Sequence, residues 1–337
     1  MKKLVFLFIA LAGIMTVSCS KAIFDEEGDC SVHYRIGFKY DMNMKFADAF
    51  SNSVCSVHLY AFDESGLLVY KKAEGGEALK SEDYAMEVDM APGTYTFIAW
   101  CGLDGGDAFS LCTNPVVGTT TIEQLQCELA KEYDQNNGAM VNDELNHLFH
   151  GMKKITLPEM YGTFNETMSL VKNTNTVKVI LQNLSGEDIL PDDYTYQITD
   201  DNGLMEHDND LVDDETINYY PFSVVAGEAG VDVQENTKAI ESVSIAVAEF
   251  TVGRLVTYRN PVLTITHNRN SEVVARIPLK DYALLVKGNY NRKMDDQEYL
   301  DRQDEYTMTF FLDEGEWVSS VIYINSWRVV LNNSELN

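Results

Sequence analysis

PGTYTFIAW, residues 92–100, is the clearest strand signal in the first half of this 337-residue chain. Pro-Gly is typical of a turn, and the residues that follow favour β-structure because broad aromatic and β-branched side chains pack well on a pleated surface. The same combination of polar turns and short apolar runs recurs on both sides of this stretch. It therefore predicts an all-β protein.

Towards the N-terminus, residues 33–40 and 54–62 are rich in aromatic residues and nearly alternate between apolar and polar positions. Such alternation predicts half-buried strands. Residues 63–66 (DESG) have the composition of a turn, and strand character resumes at residues 67–71. These runs predict a series of strands joined by short turns.

Towards the C-terminus, residues 104–150 differ from the strand pattern. Residues 121–133 carry Leu125, Leu129 and Tyr133 at four-residue spacing, which predicts a short helix. We interpret the whole segment as an elaborated loop between strands.

A new series of strands begins at residues 166–182, and residues 200–214 form a polar loop. Further strand-like runs are residues 194–199, 242–247, 255–258, 262–266, 273–277, 306–312 and 321–330. Short, regularly spaced strands with few helices favour a pair of β-sandwiches. We predict an N-terminal domain at residues 31–162 and a C-terminal domain at residues 163–337.

The first residues indicate export. Lys2 and Lys3 precede residues 4–17, an uncharged run of 14 residues. This length is typical of the apolar region of a secretory signal peptide, whereas a membrane-spanning helix needs about 20 apolar residues. Residues 1–18 are therefore predicted to be a signal peptide.

The end of this segment resembles the lipobox of bacterial lipoproteins, in which a cysteine is diacylated and becomes the new N-terminus. Ser18 immediately precedes Cys19, and Thr16 stands where leucine is usual. We expect lipidation at Cys19, with residues 19–30 as a lipidated tether. The alternative is an ordinary signal peptide followed by an incidental cysteine.

The charge balance excludes some partners. The chain has 25 Lys+Arg against 53 Asp+Glu, a formal net charge of −28. Such a chain repels a phosphate backbone and an anionic membrane surface, so we expect no nucleic acid partner and a covalent attachment to the membrane. In some Gram-negative groups, acidic residues soon after the lipidated cysteine mark transport to the outer surface, and the tether is acidic at Asp25, Glu26, Glu27 and Asp29.

Five cysteines follow the lipidated one: Cys30, Cys55, Cys101, Cys112 and Cys127. Export permits disulfides, and Cys101 with Cys112 could close a short loop. Because five is odd, at least one thiol stays free, and the pairing is left open. We interpret all five as structural, either buried or bridged.

The motifs of common enzyme and cofactor sites are missing from the sequence, including GxSxG, HExxH, the P-loop and the dinucleotide-binding glycines. His147 and His150 lie close together but lack a third metal ligand at a suitable spacing. A possible calcium-binding tract, which lacks the spacing of an EF-hand, consists of Asp208, Asp210, Asp213, Asp214 and Glu215. We therefore expect no catalytic residue, no metal and no cofactor.

Several segments together resemble the FimB-type fimbrial anchor lipoproteins, the base subunits of type V pili. In chain order they are Asp29-Cys30, Gly37-Phe38-Lys39-Tyr40-Asp41-Met42-Asn43-Met44, Ala47-Asp48-Ala49-Phe50, Val57-His58-Leu59-Tyr60-Ala61-Phe62-Asp63, Pro92-Gly93-Thr94-Tyr95, Ala99-Trp100-Cys101-Gly102, His150-Gly151, Lys172-Asn173-Thr174-Asn175 and Ile324-Asn325-Ser326-Trp327. Each segment is short, and their order along nearly the whole chain carries the resemblance.

The resemblance implies two transthyretin-like β-sandwich domains in tandem. It also implies an outer-membrane lipoprotein, facing the cell exterior, that joins a pilus to the cell through the first stalk subunit and limits pilus length. Subunits of such pili associate by strand exchange, in which a donor strand completes an open sheet edge. The alternative function is a surface glycan-binding lipoprotein, and a secreted glycosidase is a third, less favoured interpretation.

Overall fold

A computed structural model describes residues 32–332 except 184, 186, 233–239, 286, 289–290, 314–315 and 325–326. Within residues 229–243 and 313–332 the description is limited to the backbone of the strands. The predicted signal peptide at residues 1–18 and the predicted tether at residues 19–30, with Cys19 and Cys30, lie outside the described residues. No helix among the described residues is both long and apolar enough to cross a membrane.

The first half of the chain builds two sheets that form a sandwich. The strands are β1 Val32–Lys39, β2 Ser56–Phe62, β3 Leu68–Gly75, β4 Ala85–Val88, β5 Gly93–Cys101, β6 Phe109–Leu111, β7 Cys127–Leu129, β8 Glu132–Asp134, β9 Gly138–Val141, β10 Phe149–Leu157, β11 Gly162–Ser169 and β12 Val171–Lys172. A three-stranded sheet has the order β11-β1-β4, and a five-stranded sheet has the order β12-β10-β5-β2-β3. A four-residue helix, α1 at Phe50–Ser53, precedes β2.

The second half contributes two larger sheets. Its strands are β13 Thr174–Asn183, β14 Tyr194–Asp200, β15 Leu204–Met205, β16 Ile217–Tyr219, β17 Ser223–Asp232, β18 Ile240–Gly253, β19 Val262–His267, β20 Glu272–Pro278, β21 Glu305–Asp313, β22 Glu316–Ile324 and β23 Trp327–Asn332, with helices α2 Leu279–Leu285 and α3 Asp296–Arg302. The six-stranded sheets have the orders β17-β18-β13-β21-β22-β23 and β20-β19-β14-β16-β9-β8. A small sheet has the order β15-β7-β6.

The all-β prediction is confirmed, because strands arranged in layered sheets dominate the described residues and helices are few. The predicted strands at residues 33–40, 54–62 and 94–100 correspond to β1, β2 and β5. The tandem transthyretin-like arrangement stays a prediction.

Strand β5 is buried on both of its faces, which explains why its second half is apolar at every position. Phe97, Ala99 and Cys101 face the core of the N-terminal sandwich. Ile98 and Trp100 face the other way, into a second core that continues through the sheets of the C-terminal half. A strand covered on both faces needs no polar face, so its sequence runs without alternation.

Strand pairing crosses the predicted domain division at residue 162/163. Strand β11 pairs in parallel with β1, so residues 162–169 complete an N-terminal sheet. Strand β9 pairs in parallel with β16, so residues 138–141 extend a C-terminal sheet. The two halves therefore exchange strands, and the division itself stays a prediction.

The predicted helix at residues 121–133 is wrong. Only a single 3₁₀ turn forms, at Ile122–Gln124, and it is followed by β7 and β8. Leu125, Cys127 and Leu129 are buried, whereas Glu128 between them is exposed. Apolar residues four apart satisfy the two-residue period of a strand as well as the period of a helix, and pairing of β7 with β6 decides between them.

The predicted strand at residues 255–258 is also wrong. Leu255 and Val256 are buried, but they lie in a turn closed by a hydrogen bond from Arg259 N to Val256 O of 3.3 Å. The predicted run at residues 321–330 corresponds to parts of two antiparallel strands, β22 and β23.

The four described cysteines are free thiols, so the suggested link between Cys101 and Cys112 is wrong. Cys101 lies at the end of β5 facing the N-terminal core, whereas Cys112 follows β6 and donates its N–H to Gln126 O. Cys101 and Cys127 are buried, and burial raises the pKa of both thiols. Cys112 is half-buried. Cys55 is exposed and free, so the interpretation of every cysteine as buried or bridged is wrong for Cys55.

Gly102, which directly follows β5, provides a test of the close packing between the end of β5 and the backbone of His147. Its φ is 98°, and a Cβ built there would lie 2.0 Å from His147 O. We expect Gly102→Ala to lower the free energy of unfolding by about 3 kcal/mol or more, because both the backbone conformation and the space forbid a side chain. Chemical denaturation monitored by circular dichroism measures this loss.

Gly118→Ala is the matched control. Gly118 has a similar φ of 78°, but nothing lies within 4 Å of a Cβ built there. We expect this variant to lose only about 1 kcal/mol, from the left-handed backbone alone. Equal losses in the two variants would contradict the proposed close approach to His147.

Candidate functional site

Several residues that carry the family resemblance meet where the N-terminal and C-terminal halves contact each other. We call this buried polar cluster the joint. It consists of Trp100, His150, Asn173, Asn209, Arg254 and Asp301.

Trp100 and His150 are the residues that the N-terminal half contributes to the joint. They are directly opposite each other on the paired strands β5 and β10, and their ring centroids are 4.6 Å apart. His150 Nε2 lies 2.9 Å from His207 O. Because a carbonyl oxygen only accepts hydrogen bonds, Nε2 carries the proton. His150 thus links β10 to a turn of the C-terminal half.

Two asparagines hold that turn in place. Asn173 Nδ2 donates to Asn209 Oδ1 at 2.6 Å, and Asn209 Nδ2 donates back to Asn173 Oδ1 at 3.0 Å. Both side chains are buried. Asn173 N also donates to Leu148 O, next to β10. Asn209 has a φ of 75°, a left-handed conformation that asparagine tolerates better than most residues.

A buried ion pair within the C-terminal half holds the same turn. Arg254 donates to both carboxylate oxygens of Asp301, at 2.8 and 2.9 Å, and its NH1 donates to Asn209 O at 2.7 Å. Gln297 Nε2 donates to Asp301 Oδ1 at 3.0 Å. Such a bidentate pair has a fixed geometry, so it orients the turn as well as compensating the buried charges.

A second contact lies at the end of β1. Lys172 Nζ pairs with Asp304 at 2.8 Å, and the Tyr40 hydroxyl lies 3.5 Å from the same carboxylate. Arg302 NH1 donates to Asp41 O at 2.9 Å, and its guanidinium lies 4.6 Å from the centroid of the Phe46 ring. These interactions connect α3 and the residues that follow it to the N-terminal half.

His147 and His150, the suggested metal pair, have different surroundings. His150 is buried against a backbone carbonyl, and burial lowers its pKa to about 4. His147 is exposed as a residue, and the partial burial of its ring lowers its pKa as well. That they hold no metal stays a prediction.

The acidic tract is divided among separate ion pairs and turns. Asp214 accepts two hydrogen bonds from Lys131, and Glu215 lies 3.3 Å from the same Lys131 Nζ. Asp213 lies 3.6 Å from Arg259. Ligand atoms of Glu206, His207 and Asp208 lie within 4.8 Å of one another. Calcium usually takes 6–8 oxygen ligands, more than this turn supplies.

Sequence reasoning missed Arg254, Asp301 and Asn209. Asn209 lay in the predicted polar loop, and its pairing with Asn173 joins residues 36 positions apart. The sequence contained one indication that Arg254 is paired in the interior. It follows the apolar end of β18 directly, and a cation at such a position usually needs a buried partner. The sequence does not identify Asp301 among its 53 acidic residues.

Comparison with known families gives an extended match. A family model described as Mfa2, fimbrillin-A associated anchor proteins Mfa1 and Mfa2, matches residues 26–333. A comparison with curated proteins found no match.

Solved structures share the fold. A candidate adhesin from Bacteroides thetaiotaomicron is 32% identical, with a TM-score of 0.78 over 91% of this chain and 100% of that chain. A candidate polysaccharide-binding protein from the same species is 30% identical, with a TM-score of 0.75 over 90% of this chain and 99% of that chain. The fimbrial anchor protein Mfa2 from Porphyromonas gingivalis is 18% identical, with a TM-score of 0.65 over 89% of this chain and 99% of that chain. At 18% identity this last likeness shows the fold alone.

Asp301→Asn tests the joint. The change leaves the Arg254 guanidinium buried without its counter-charge, so we expect the free energy of unfolding to fall by about 3 kcal/mol. Urea denaturation measures the loss. Glu77→Gln is the control, because Glu77 and Lys80 form a pair whose side chains are 86% and 63% exposed. Its cost should stay below about 1 kcal/mol. A loss for Asp301→Asn no larger than that of the control would contradict the structural role of the ion pair.

The lowered pKa of His150 predicts a pH dependence. An unfolded histidine has a pKa near 6.5, so between pH 6.5 and about 4 the unfolded state binds more protons than the folded state. The stability that neutral His150 contributes is complete above pH 6.5 and is lost as the pH falls towards 4. This loss is at most about 3 kcal/mol.

The difference between wild type and His150→Gln isolates this effect. Burial raises the pKa of Asp200 to about 7, which gives the opposite slope over the same range. Because Asp200 is present in both proteins, its contribution cancels in the difference. Urea denaturation at intervals from pH 4 to 7 should show wild type losing more stability than His150→Gln on acidification. Parallel curves would contradict the assignment.

Proposed function

Because the chain belongs to the Mfa2 family of fimbrillin-A associated anchor proteins, we propose that it anchors a fimbria to the outer membrane. The observation that carries this proposal is the extent of the family match, which begins at residue 26 and includes all of the described residues. The protein would join the first stalk subunit and face the cell exterior. A base subunit occupies one end of the fimbria and thereby limits further growth there.

Attachment to the membrane is assigned to a lipid on Cys19. The apolar run at residues 4–17 and the small residue Ser18 before the cysteine support this assignment. Two acyl chains are enough for stable anchoring, since each buried methylene contributes about 0.8 kcal/mol. An acidic, solvated tether would then separate the lipid from the first strand.

Attachment to the stalk is assigned to strand addition at an open sheet edge. In the described sheets, β17 and β23 are the outer strands of a six-stranded sheet, so each has backbone groups that face away from its neighbour. Such an edge accepts an extended strand from a partner through main-chain hydrogen bonds. The joint supports this role, because it holds both halves in one orientation while a partner binds. We propose no catalytic step.

Cells that carry a deletion of the gene or the substitution Cys19→Ala test the proposal. We expect both to release fimbriae into the medium, because the fimbriae would no longer be tied to a membrane lipid. Fimbriae on cells and in the medium are quantified by immunoblot and electron microscopy. Longer released fimbriae in the deletion strain would support the role in limiting length.

Cys55→Ala is the matched control, since Cys55 is an exposed free thiol in the folded protein. Fimbriae should stay attached in this strain, and radiolabelled palmitate should enter the Cys55→Ala protein but not the Cys19→Ala protein. Fimbriae unchanged in amount, length and attachment in both the deletion and Cys19→Ala strains would refute anchoring.

A further inference from the structure

Two apolar turns lie at the end of the N-terminal sandwich where the described chain begins. We call this the tether end and define it by Val32, the turn at residues 89–92 and the turn at residues 158–161. Val32 is paired with Gly162, directly after the second turn. Leu157, directly before that turn, is paired with Gly93, directly after the first turn. The three segments therefore lie side by side at one end of the two sheets.

The two turns expose apolar side chains to the surroundings. Their sequences are DMAP and PEMY, each with one carboxylate and no cation. Tyr161 is 80% exposed, the largest exposed fraction among the large apolar residues that the structure describes, and the neighbouring Met160 is 40% exposed. Ala91 and Pro92 of the first turn are also exposed. The tether end thus presents an aromatic ring and several apolar groups together, rather than a single scattered one.

The backbone of both turns is held by tyrosine hydroxyls. The Tyr34 hydroxyl donates to Pro158 O at 2.7 Å, and the Tyr95 hydroxyl donates to Ala91 O at 3.1 Å. Tyr34 belongs to the N-terminal core, and Met90 of the first turn packs against the same core. Because the core fixes both turns, contact with a surface orders little additional backbone and therefore costs little entropy.

The position of the tether identifies the surface that these turns meet. Val32 lies 13 residues after Cys19. A chain of that length spans at most about 45 Å when fully extended, so a lipid on Cys19 would keep the tether end within reach of the bilayer. Trp100 of the joint lies seven residues further along β5 than Gly93, which is about 23 Å away. A tether also raises the effective concentration of the bilayer at this end, so a weak contact is enough.

The charges of the tether end select a zwitterionic lipid surface. Asp89 and Glu159 are its charged side chains, and both are exposed. Asp63, Glu64 and Lys154 are set back from it, because β2 ends, and Lys154 lies, opposite the fourth residue of β5. Two carboxylates can stay in the hydrated headgroup layer, where a tyrosine ring with its hydroxyl is also well accommodated. An anionic surface would repel them.

From these observations we infer that the tether end binds the bilayer that carries the lipid, with Tyr161 and Met160 placed in the membrane interface. The inference rests on the proposed lipid at Cys19 and deepens the anchoring role. A lipid alone leaves the fold free to rotate about its tether. Contact through two turns would hold the fold in one orientation, with the joint on the side away from the membrane.

Fluorescence quenching of the full-length lipidated protein in phosphatidylcholine vesicles tests the inference. Tyr161→Trp places a reporter at the tether end, and parallel vesicles carry brominated acyl chains, which quench a tryptophan that they contact. We expect bromine to remove most of the emission that the new tryptophan adds. Tyr133→Trp is the matched control, since Tyr133 is 67% exposed and its neighbour Glu132 lines a cleft with Gly105, past the other end of β5. Its added emission should not change.

Vesicle flotation separates a failure of this inference from a failure of the proposed lipid. Protein that floats with the vesicles while bromine quenches Tyr161→Trp no more than Tyr133→Trp would overturn the contact and leave the lipid in place. Protein that does not float would overturn the lipid at Cys19 and the contact with it. The double variant Cys19→Ala, Tyr161→Trp should neither float nor be quenched, because one turn is too small to hold the protein on a membrane. Thermal unfolding should show that all variants are folded, since the replaced tyrosines are exposed.

Discussion

The architecture depends on one strand being covered on both faces. In β5, Phe97 and Ala99 face the N-terminal core while Ile98 and Trp100 face the core shared with the C-terminal half. A strand without a polar face is stable only when a layer packs on each side, because an uncovered face would leave apolar surface in water. The N-terminal sandwich supplies one layer. The other comes from residues 103–148 and the sheets behind them. Neither half is complete without the other, and this requirement explains why strands are exchanged between them.

Apolar burial alone would let the halves adopt several relative orientations, since hydrophobic packing has little directional preference. The joint removes this freedom. The pair of Arg254 and Asp301 lies within the C-terminal half and holds the turn at Asn209. The bond from His150 to His207 O and the reciprocal amides of Asn173 and Asn209 reach across to that turn, and they have partners in only one arrangement of the halves. A displaced half would leave these groups buried without partners, which costs more than the bonds contribute when they are formed. Trp100 Nε1, which also lies in the joint, does not add to this restraint, because it is buried without a hydrogen-bond partner among the described residues.

The strands could be predicted where alternation or a buried run is strong, as at residues 33–40 and 94–100. The prediction was wrong where one spacing fits two periods, as in residues 121–133, and where buried residues lie in a turn, as in residues 255–258. Local sequence identified Trp100, His150 and the segment at residues 172–175 through the family resemblance, but it did not show that they meet. Their meeting depends on tertiary contacts, such as the bond of Asn173 to Asn209. Tyr133 was assigned to a helical apolar face, and only the pairing of β8 at a sheet edge exposes its ring.

The arrangement of the first strand has a mechanical consequence. Strand β1 lies between β11, its parallel neighbour over Val32–Lys39, and the antiparallel β4. A chain that leaves the fold at Val32 pulls β1 along its own axis, and the backbone bonds to both neighbours run across that axis. The load is then shared by all of these bonds at once, in shear, rather than opening them one after another. Ile36 and Phe38 would also have to slide out of the core together. Under the proposed anchoring, the first strand would therefore act as a shear clamp where the fold meets its tether.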